Sequence, residues 1–309
     1  PWMPPAITRT MKQFAPLRFH YYLAAVIIPL LLVAPAGLVV SNKINAEITL
    51  AFNEISGLHQ IQQLLDIVSN LQELRGLNQM VAQGGDPSIQ SRLINTQEQV
   101  NLELTRFYDN FPKDPFSIHD DLAKTMPLQE KSIPDPAVAA SSPRQRFDQD
   151  TIPIRETQKI IRILSVQSGL IHDSALVAHF LAGLVIEDLI DLEEAIGKTR
   201  GLGAGFLAKG NPTQTDRYLF WEQLGSVRRS GESVEHQHWV VQNSSIHPPS
   251  ALSCIHDPLM TTVQDFLQLG QTILMGEVHT MAPATFFDTA TAVITTLNTC
   301  SYALQSELL

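Results

Sequence analysis

Between positions 42 and 84 the apolar side chains fall at Ile44, Ile48, Phe52, Ile55, Leu58, Ile61, Leu65, Val68, Leu71, Leu74, Leu77 and Val81. Gaps of three or four throughout predict one long helix with a continuous apolar stripe. At 1.5 Å per residue it would be a rod of about 65 Å, the length of a strut in an extended bundle rather than a globular helix. Gly84-Gly85-Asp86-Pro87 ends it, and a second helix is expected over Ser88–Asn110, because proline opens helices well after an acidic cap. Seven prolines at 112, 115, 127, 134, 136, 143 and 153 then read as an irregular linker over 113–153. Helical spacing resumes from Ile154 to Ser168, breaks at Gly169, and continues from His172 to Lys209 through Leu176, Phe180, Leu184, Leu189, Leu192 and Ile196. Two more helices are expected, Thr213 to about Asn243 and Pro258 to Leu309, the last interrupted at Pro283. No segment alternates with period two, so the expected fold is all-α.

Superimposed on this pattern is a repeat. Arg75-Gly76-Leu77 recurs 125 positions later as Arg200-Gly201-Leu202, and the same offset maps Gly85 onto Gly210, Pro87 onto Pro212 and Arg92 onto Arg217. Chance supplies about one identity in a window of that length, so two related half-bundles are expected, 41–112 and 154–309.

Charge and composition narrow the setting. The net charge is −10, yet residues 1–46 hold Arg9, Lys12, Arg18 and Lys43 and no acid. The rest carries 17 bases against 31 acids, which argues against a nucleic-acid surface, since phosphate contacts need clustered Lys and Arg. Tyr21–Val40 is a 20-residue run without a charge, enough to cross a hydrocarbon core of about 30 Å as a helix. We read it as a membrane anchor following a cytoplasmic basic tail at 1–20, with the body outside the membrane because bases precede the span and acids follow it. The alternative is a cleaved signal peptide with Ala34-Pro35-Ala36 as the cleavage site. The pattern is still helical at Leu309, which suggests a second span and a cytoplasmic module beyond it. Cys254 and Cys300 lack metal-ligand spacing and are expected as separate packed thiols.

The candidate chemistry lies at the repeated arginines. Arg75 and Arg200 each lean toward a packed face, with Asn78 and Gln79 as neutral donors near the first. Gly197, Gly201, Gly203 and Gly205 crowd one helix, although each glycine there costs about 1 kcal/mol. Either another helix approaches closely over them, or Gly201 and Gly203 leave room beside Arg200 for a ligand. Arginine suits a small oxyanion because its planar fork donates paired hydrogen bonds and keeps its charge. The competing reading pairs each arginine with an acid from a neighbouring helix, the candidates being Glu73, Asp191, Glu193, Glu194 and Glu222. His236 and His238 would point about 200 degrees apart on a helix and cannot share a metal. No catalytic constellation, cofactor or metal site can be assembled, so the segment is not expected to be an enzyme.

Leu71-Gln-Glu-Leu-Arg75-Gly76-Leu77 and Ile196-Gly-Lys-Thr-Arg200-Gly201-Leu202-Gly203-Ala204, with Glu54-Ile-Ser-Gly57, resemble the extracytoplasmic sensor regions of bacterial transmembrane receptors. Those include methyl-accepting chemotaxis transducers, sensor histidine kinases and membrane-bound cyclic-dinucleotide cyclases. The chain is more distantly similar to nitrate- and nitrite-sensing helical domains, in which a Gln-x-x-Arg-Gly-Leu pattern ends a long helix and paired arginines hold the anion. It departs from that pattern at Leu74 and Thr199, where a second arginine is common. The resemblance implies a periplasmic, homodimeric sensor on a bacterial inner membrane. It would bind a small anion through Arg75, Arg200, Asn78, Gly201 and Gly203 and relay a helix shift to a cytoplasmic output module, as a chemotaxis transducer does. A ligand-free dimerisation or partner-binding module of a membrane-bound kinase or cyclase is the alternative.

Overall fold

The long apolar stripe does fold as one helix, α1, whose backbone runs from Ala15 to Ala82. The computed structural model describes residues 15–84, 87–111, 118–125, 142–172, 176–244, 247–276 and 281–308, with side chains from residue 37 apart from 87, 121, 124, 125 and 172. The chain divides into two compact units, Pro1–Phe52 and Asn53–Leu309. In the first, Leu38, Val39, Val40, Ile44, Ile48, Leu50 and Phe52 are exposed. Most of the anchor read at Tyr21–Val40 lies outside the described side chains. Among the described residues no helix is long and apolar enough to cross a membrane.

In the second unit, α1 ends where Gly84 takes a left-handed φ of 92°, and α2 follows at Pro87–Asn110. The proline-rich stretch contains more structure than expected: α3 covers Ile118–Thr125, and α4 covers Pro143–Gln167. The linker reading is corrected by local chemistry at Ser142. Its hydroxyl accepts from the Gln145 amide while the Gln145 side chain accepts from the Ser142 N–H, a reciprocal cap with Pro143 in the first turn. Pro143 therefore opens a helix that Pro153 fails to stop. Gly169, at φ 94°, ends it.

The helix expected from His172 to Lys209 is resolved into α5 (Leu176–Gly183), a wide turn at Leu184–Asp188, and α6 (Leu189–Ala208). Gly210, at φ 67°, makes the second turn. Thr213 and Asp216 cap each other reciprocally to start α7, Gln214–Ser244. The last expected helix is two: α8 (Thr261–Met275), closed by left-handed Gly276, and α9 (Pro283–Gln305). The helix therefore ends at Gln305, where the apolar spacing alone suggested continuation. No strand occurs among the described residues, and the all-α expectation holds.

Four helices frame the interior. Gln72 packs against Gly197, Gly76 against Gly201 and Gln79 against Gly205, a register that advances in the same direction on both helices, so α1 and α6 are parallel. Helix α4 runs antiparallel to both, as Phe147 at Gly201 and Arg162 bonded to Asp191 show. Helix α9 does the same on the other side, through Phe287 at Gly76 and Tyr302 bonded to Asp66. A second correction concerns the cysteines: Cys254 and Cys300, 46 positions apart in sequence, form a disulfide with Cα atoms 5.6 Å apart. Closing a loop of that length restrains the unfolded chain by about 4 kcal/mol in the chain-entropy picture. Neither spacing nor composition encodes that juxtaposition, which depends on how α9 returns past the turn before α8.

Candidate functional site

The site is built around the crossing of α1 and α6. A methyl group placed on Gly201 would lie 3.3 Å from the Gly76 Cα, so only paired glycines let these backbones approach so closely. The two arginines that precede those glycines flank the crossing, and both are buried, Arg75 at 0% and Arg200 at 1% exposure.

Their cages match. The Arg75 guanidinium lies 5.1 Å over the Phe147 ring and donates through Nη1 to Thr151 Oγ1 at 3.1 Å. The Arg200 guanidinium lies 4.7 Å over the Phe287 ring and donates through Nη1 to Thr291 Oγ1, also at 3.1 Å. Each threonine sits one turn after its phenylalanine and bonds that residue's carbonyl at 2.8 Å. The cage-forming helices share Pro143/Pro283, Phe147/Phe287, Asp148/Asp288 and Thr151/Thr291, four identities at an offset of 140. This second repeat, Pro-x-x-x-Phe-Asp-x-x-Thr, was available in the sequence and was hidden because its offset differs from 125.

The cages differ in one partner. Glu194 of α6 takes Arg75 in a two-pronged pair, with Nη1 at 2.7 Å and Nη2 at 3.0 Å from its two oxygens. The same carboxylate accepts from Gln72 at 3.1 Å and lies 3.3 Å from Lys198. At Arg75, then, the ion-pair reading prevails and an incoming anion would have to displace Glu194. The residue of α1 that corresponds to Glu194 at the offset of 125 is Ser69. Among the described residues Arg200 has no carboxylate within ion-pair distance, and its Nε and Nη2 hydrogens meet no acceptor. Burial pulls the Arg200 pKa down to about 10 against the opposing attraction of Glu73 and Glu193.

Two buried acids complete the electrostatics. Burial pushes Glu193 up to about 8, against the attraction of Arg200 and hydrogen bonds from Asn298 and Ser69. Burial likewise raises Asp150 to about 6, although Asn78 donates to it at 3.0 Å and Arg75 lies near. Asn78 is thereby occupied. Gly201 receives Phe147 and Gly76, and Gly203 receives Phe286 and Phe220: added methyls would sit 3.0 Å from Phe147 and 2.4 Å from Phe286. Gly197 and Gly205 likewise accept Gln72 and Gln79. Close packing by neighbouring helices, not ligand space, explains the glycines, and neither of the two described cavities is lined by Arg75 or Arg200. Among the described residues no cluster of His, Cys, Asp and Glu could hold a metal.

Fold and site together define a class, an all-helical protein with twin buried arginines at a glycine crossing, one ion-paired to a carboxylate of the chain and one not, the Nε of each being unbonded. Comparisons with protein-family models, curated proteins and solved structures return no match.

Proposed function

We propose that this chain is the extracytoplasmic sensing region of a bacterial transmembrane receptor, built from two related half-bundles and holding a small oxyanion at Arg200. The observation that carries the reading is the asymmetry of the twin cages. Arg75 has a carboxylate on its fork, whereas Arg200, equally buried, has two unbonded N–H groups and Ser69 where the corresponding carboxylate would stand. A buried cation without a counterion is costly, and an anion offsets that cost while gaining charge-assisted bonds. The bound anion would bridge α6 to the helices around it and bias the α1–α6 crossing, a two-state shift that α1 carries toward an anchor at Tyr21–Val40. The Cys254–Cys300 disulfide fits an oxidising, extracytoplasmic compartment. A chemotaxis transducer is the output we favour.

The test is thermal unfolding of the purified chain with nitrate, nitrite, formate, acetate and sulfate at constant ionic strength. An anion present at a hundred times its Kd should stabilise by about 2.7 kcal/mol. Arg200→Gln should remove that stabilisation and leave the unliganded protein folded. If every anion acts equally on parent and variant, the reading is wrong. The second reading, a ligand-free dimerisation module, is favoured by the exposed apolar face of α1, where Ile44, Ile48, Phe52 and Ile55 are 41–69% exposed. Concentration-dependent dimerisation by analytical ultracentrifugation, with silence across the anion panel, would support it instead.

A further inference from the structure

The matching of the halves extends beyond the arginine cages and breaks at a second place. On α2, Arg92 donates to Glu73 at 2.8 Å and to Asp288 at 2.7 Å, and its guanidinium lies 5.0 Å over Phe287. This clasp ties α2 to α1 and α9. The corresponding residues of the other half are Arg217, Lys198, Asp148 and Phe147. Lys198 stands where Glu73 stands, so the charge that held the arginine is inverted. Arg217 is turned away, donating to the Leu274 carbonyl at 3.1 Å and lying 5.7 Å over Phe206.

Where the clasp would have been there is a cavity of about 350 Å³ between α4, α6 and α7. That volume falls in the range of small-molecule sites. Leu202 and Leu219 supply an apolar wall, while Arg155, Lys198 and Thr151 supply polar groups. The cations there are under-compensated. Glu194 is shared by Lys198 and the buried Arg75, and Glu156 is shared by Arg155 and Lys159, the latter bonded to both its oxygens. Two carboxylates thus make the ion pairs of four cations, of which Arg155 and Lys198 line the cavity, while Asp150 adds attraction at the buried Arg75. Arg144 is matched by Asp148 at 3.3 Å and adds nothing to the excess.

We infer that this cavity is a binding site for a small organic dianion of the aliphatic dicarboxylate type. Its two carboxylates would meet Arg155 and Lys198 and its methylenes would lie on Leu202 and Leu219. The site is separate from Arg200 but coupled to the interior, since Thr151 and Phe147 belong both to the cavity wall and to the Arg75 cage. Drawing Lys198 away from Glu194 would leave that carboxylate wholly to Arg75 and tighten the α1–α6 junction.

Isothermal titration of the purified 309-residue chain with α,ω-dicarboxylates of three to six carbons tests the inference, with acetate and propionate as monoanion controls at fixed ionic strength. At least one dicarboxylate should give saturable heat and bind about tenfold tighter than either control, as expected for one further charge contact in a partly dry site. Lys198→Glu restores the pattern of the other half, with an acid to attract Arg217, and should weaken binding by about tenfold or more. Arg155→Gln changes only an exposed position and should weaken it without altering the melting temperature, while Arg200→Gln should leave it intact. Absence of saturable heat across the series overturns the site, and so does an unchanged Kd in both wall variants. Controls that bind as tightly overturn the dianion assignment. Loss of heat in Arg200→Gln alone would relocate the dianion to Arg200.

Discussion

Glu194→Ala and Arg200→Met should move stability in opposite directions, although they act on equivalent cages. Removing Glu194 leaves Arg75, which is fully buried, without either charge-assisted bond and leaves Gln72 without its acceptor. Breaking one side of a buried pair costs about 3–5 kcal/mol. For a domain of this size that lowers the melting temperature by about 10 °C. Arg200 presents the opposite case. A pKa drawn from 12.5 to about 10 corresponds to a burial penalty on the order of 3 kcal/mol at neutral pH. Its hydrogen bond to Thr291 and its stacking on Phe287 return about 1 kcal/mol each. Replacing it by methionine, which fills similar space without charge, should therefore stabilise the anion-free protein by about 1 kcal/mol. Replacing Arg75 and Glu194 together by Met and Leu should fall within about 2 kcal/mol of the parent, because no charge is stranded. Urea unfolding followed by circular dichroism in an anion-poor buffer measures all three. If Arg200→Met costs several kcal/mol, as Glu194→Ala does, Arg200 has a counterion of its own and the case for an anion there collapses.

Glu193 makes stability depend on pH. Its folded pKa of about 8 lies above the ordinary 4.5, so it favours the folded state below pH 4.5 and that contribution is lost as the pH rises toward 8. Glu193→Gln, which resembles the protonated form, should flatten the dependence in this window and stabilise the protein more at pH 8 than at pH 5. Equal effects at both values would show that Glu193 is ionised throughout. Gly203→Ala should destabilise by about 1–3 kcal/mol through the Phe286 and Phe220 contacts. Gly225→Ala, where the added methyl meets only the flexible end of Arg229 at 3.4 Å, should instead stabilise by about 0.5–1 kcal/mol. Thermal melts of the two variants side by side separate the packing effect from helix propensity.

The fold was legible wherever one physical rule acted alone. Along the stripe from Leu58 to Leu77 every apolar position but the half-buried Leu74 is buried, and Gly84 and Gly210 end their helices in the left-handed conformation. The reading failed where two rules competed. Proline spacing alone reads Pro143 as a breaker, yet a proline at a capped first turn opens a helix, and Ser142 with Gln145 provides that cap. Apolar spacing continues past Gln305, where the helix gives way to a turn whose amides bond back to Tyr302, Leu304 and Gln305, and Leu309 itself lies outside the described residues. Both arginines were identifiable as buried and related. What separated them was not, because Glu194 and Ser69 acquire meaning only when α1 and α6 lie parallel with Gly76 on Gly201.

That parallel crossing gives the two halves a common logic. When a helix pair is related by an approximate two-fold, any residue near the axis must suit two environments, and a buried charge on one helix calls for its complement on the other. Arg75 and Arg200 have matching ring and hydroxyl partners, so the two cages pack alike. The electrostatic complement is present on one side only at each place. Glu194 compensates Arg75 while Ser69 leaves Arg200 bare, and Glu73 holds Arg92 while Lys198 releases Arg217. At the buried Arg200 the missing carboxylate leaves a desolvated charge without an ion pair, whereas the exposed Arg217 carries no such cost. Both departures fall in the second half and both leave an arginine without a carboxylate partner among the described residues, which is the asymmetry on which the proposed anion site at Arg200 rests.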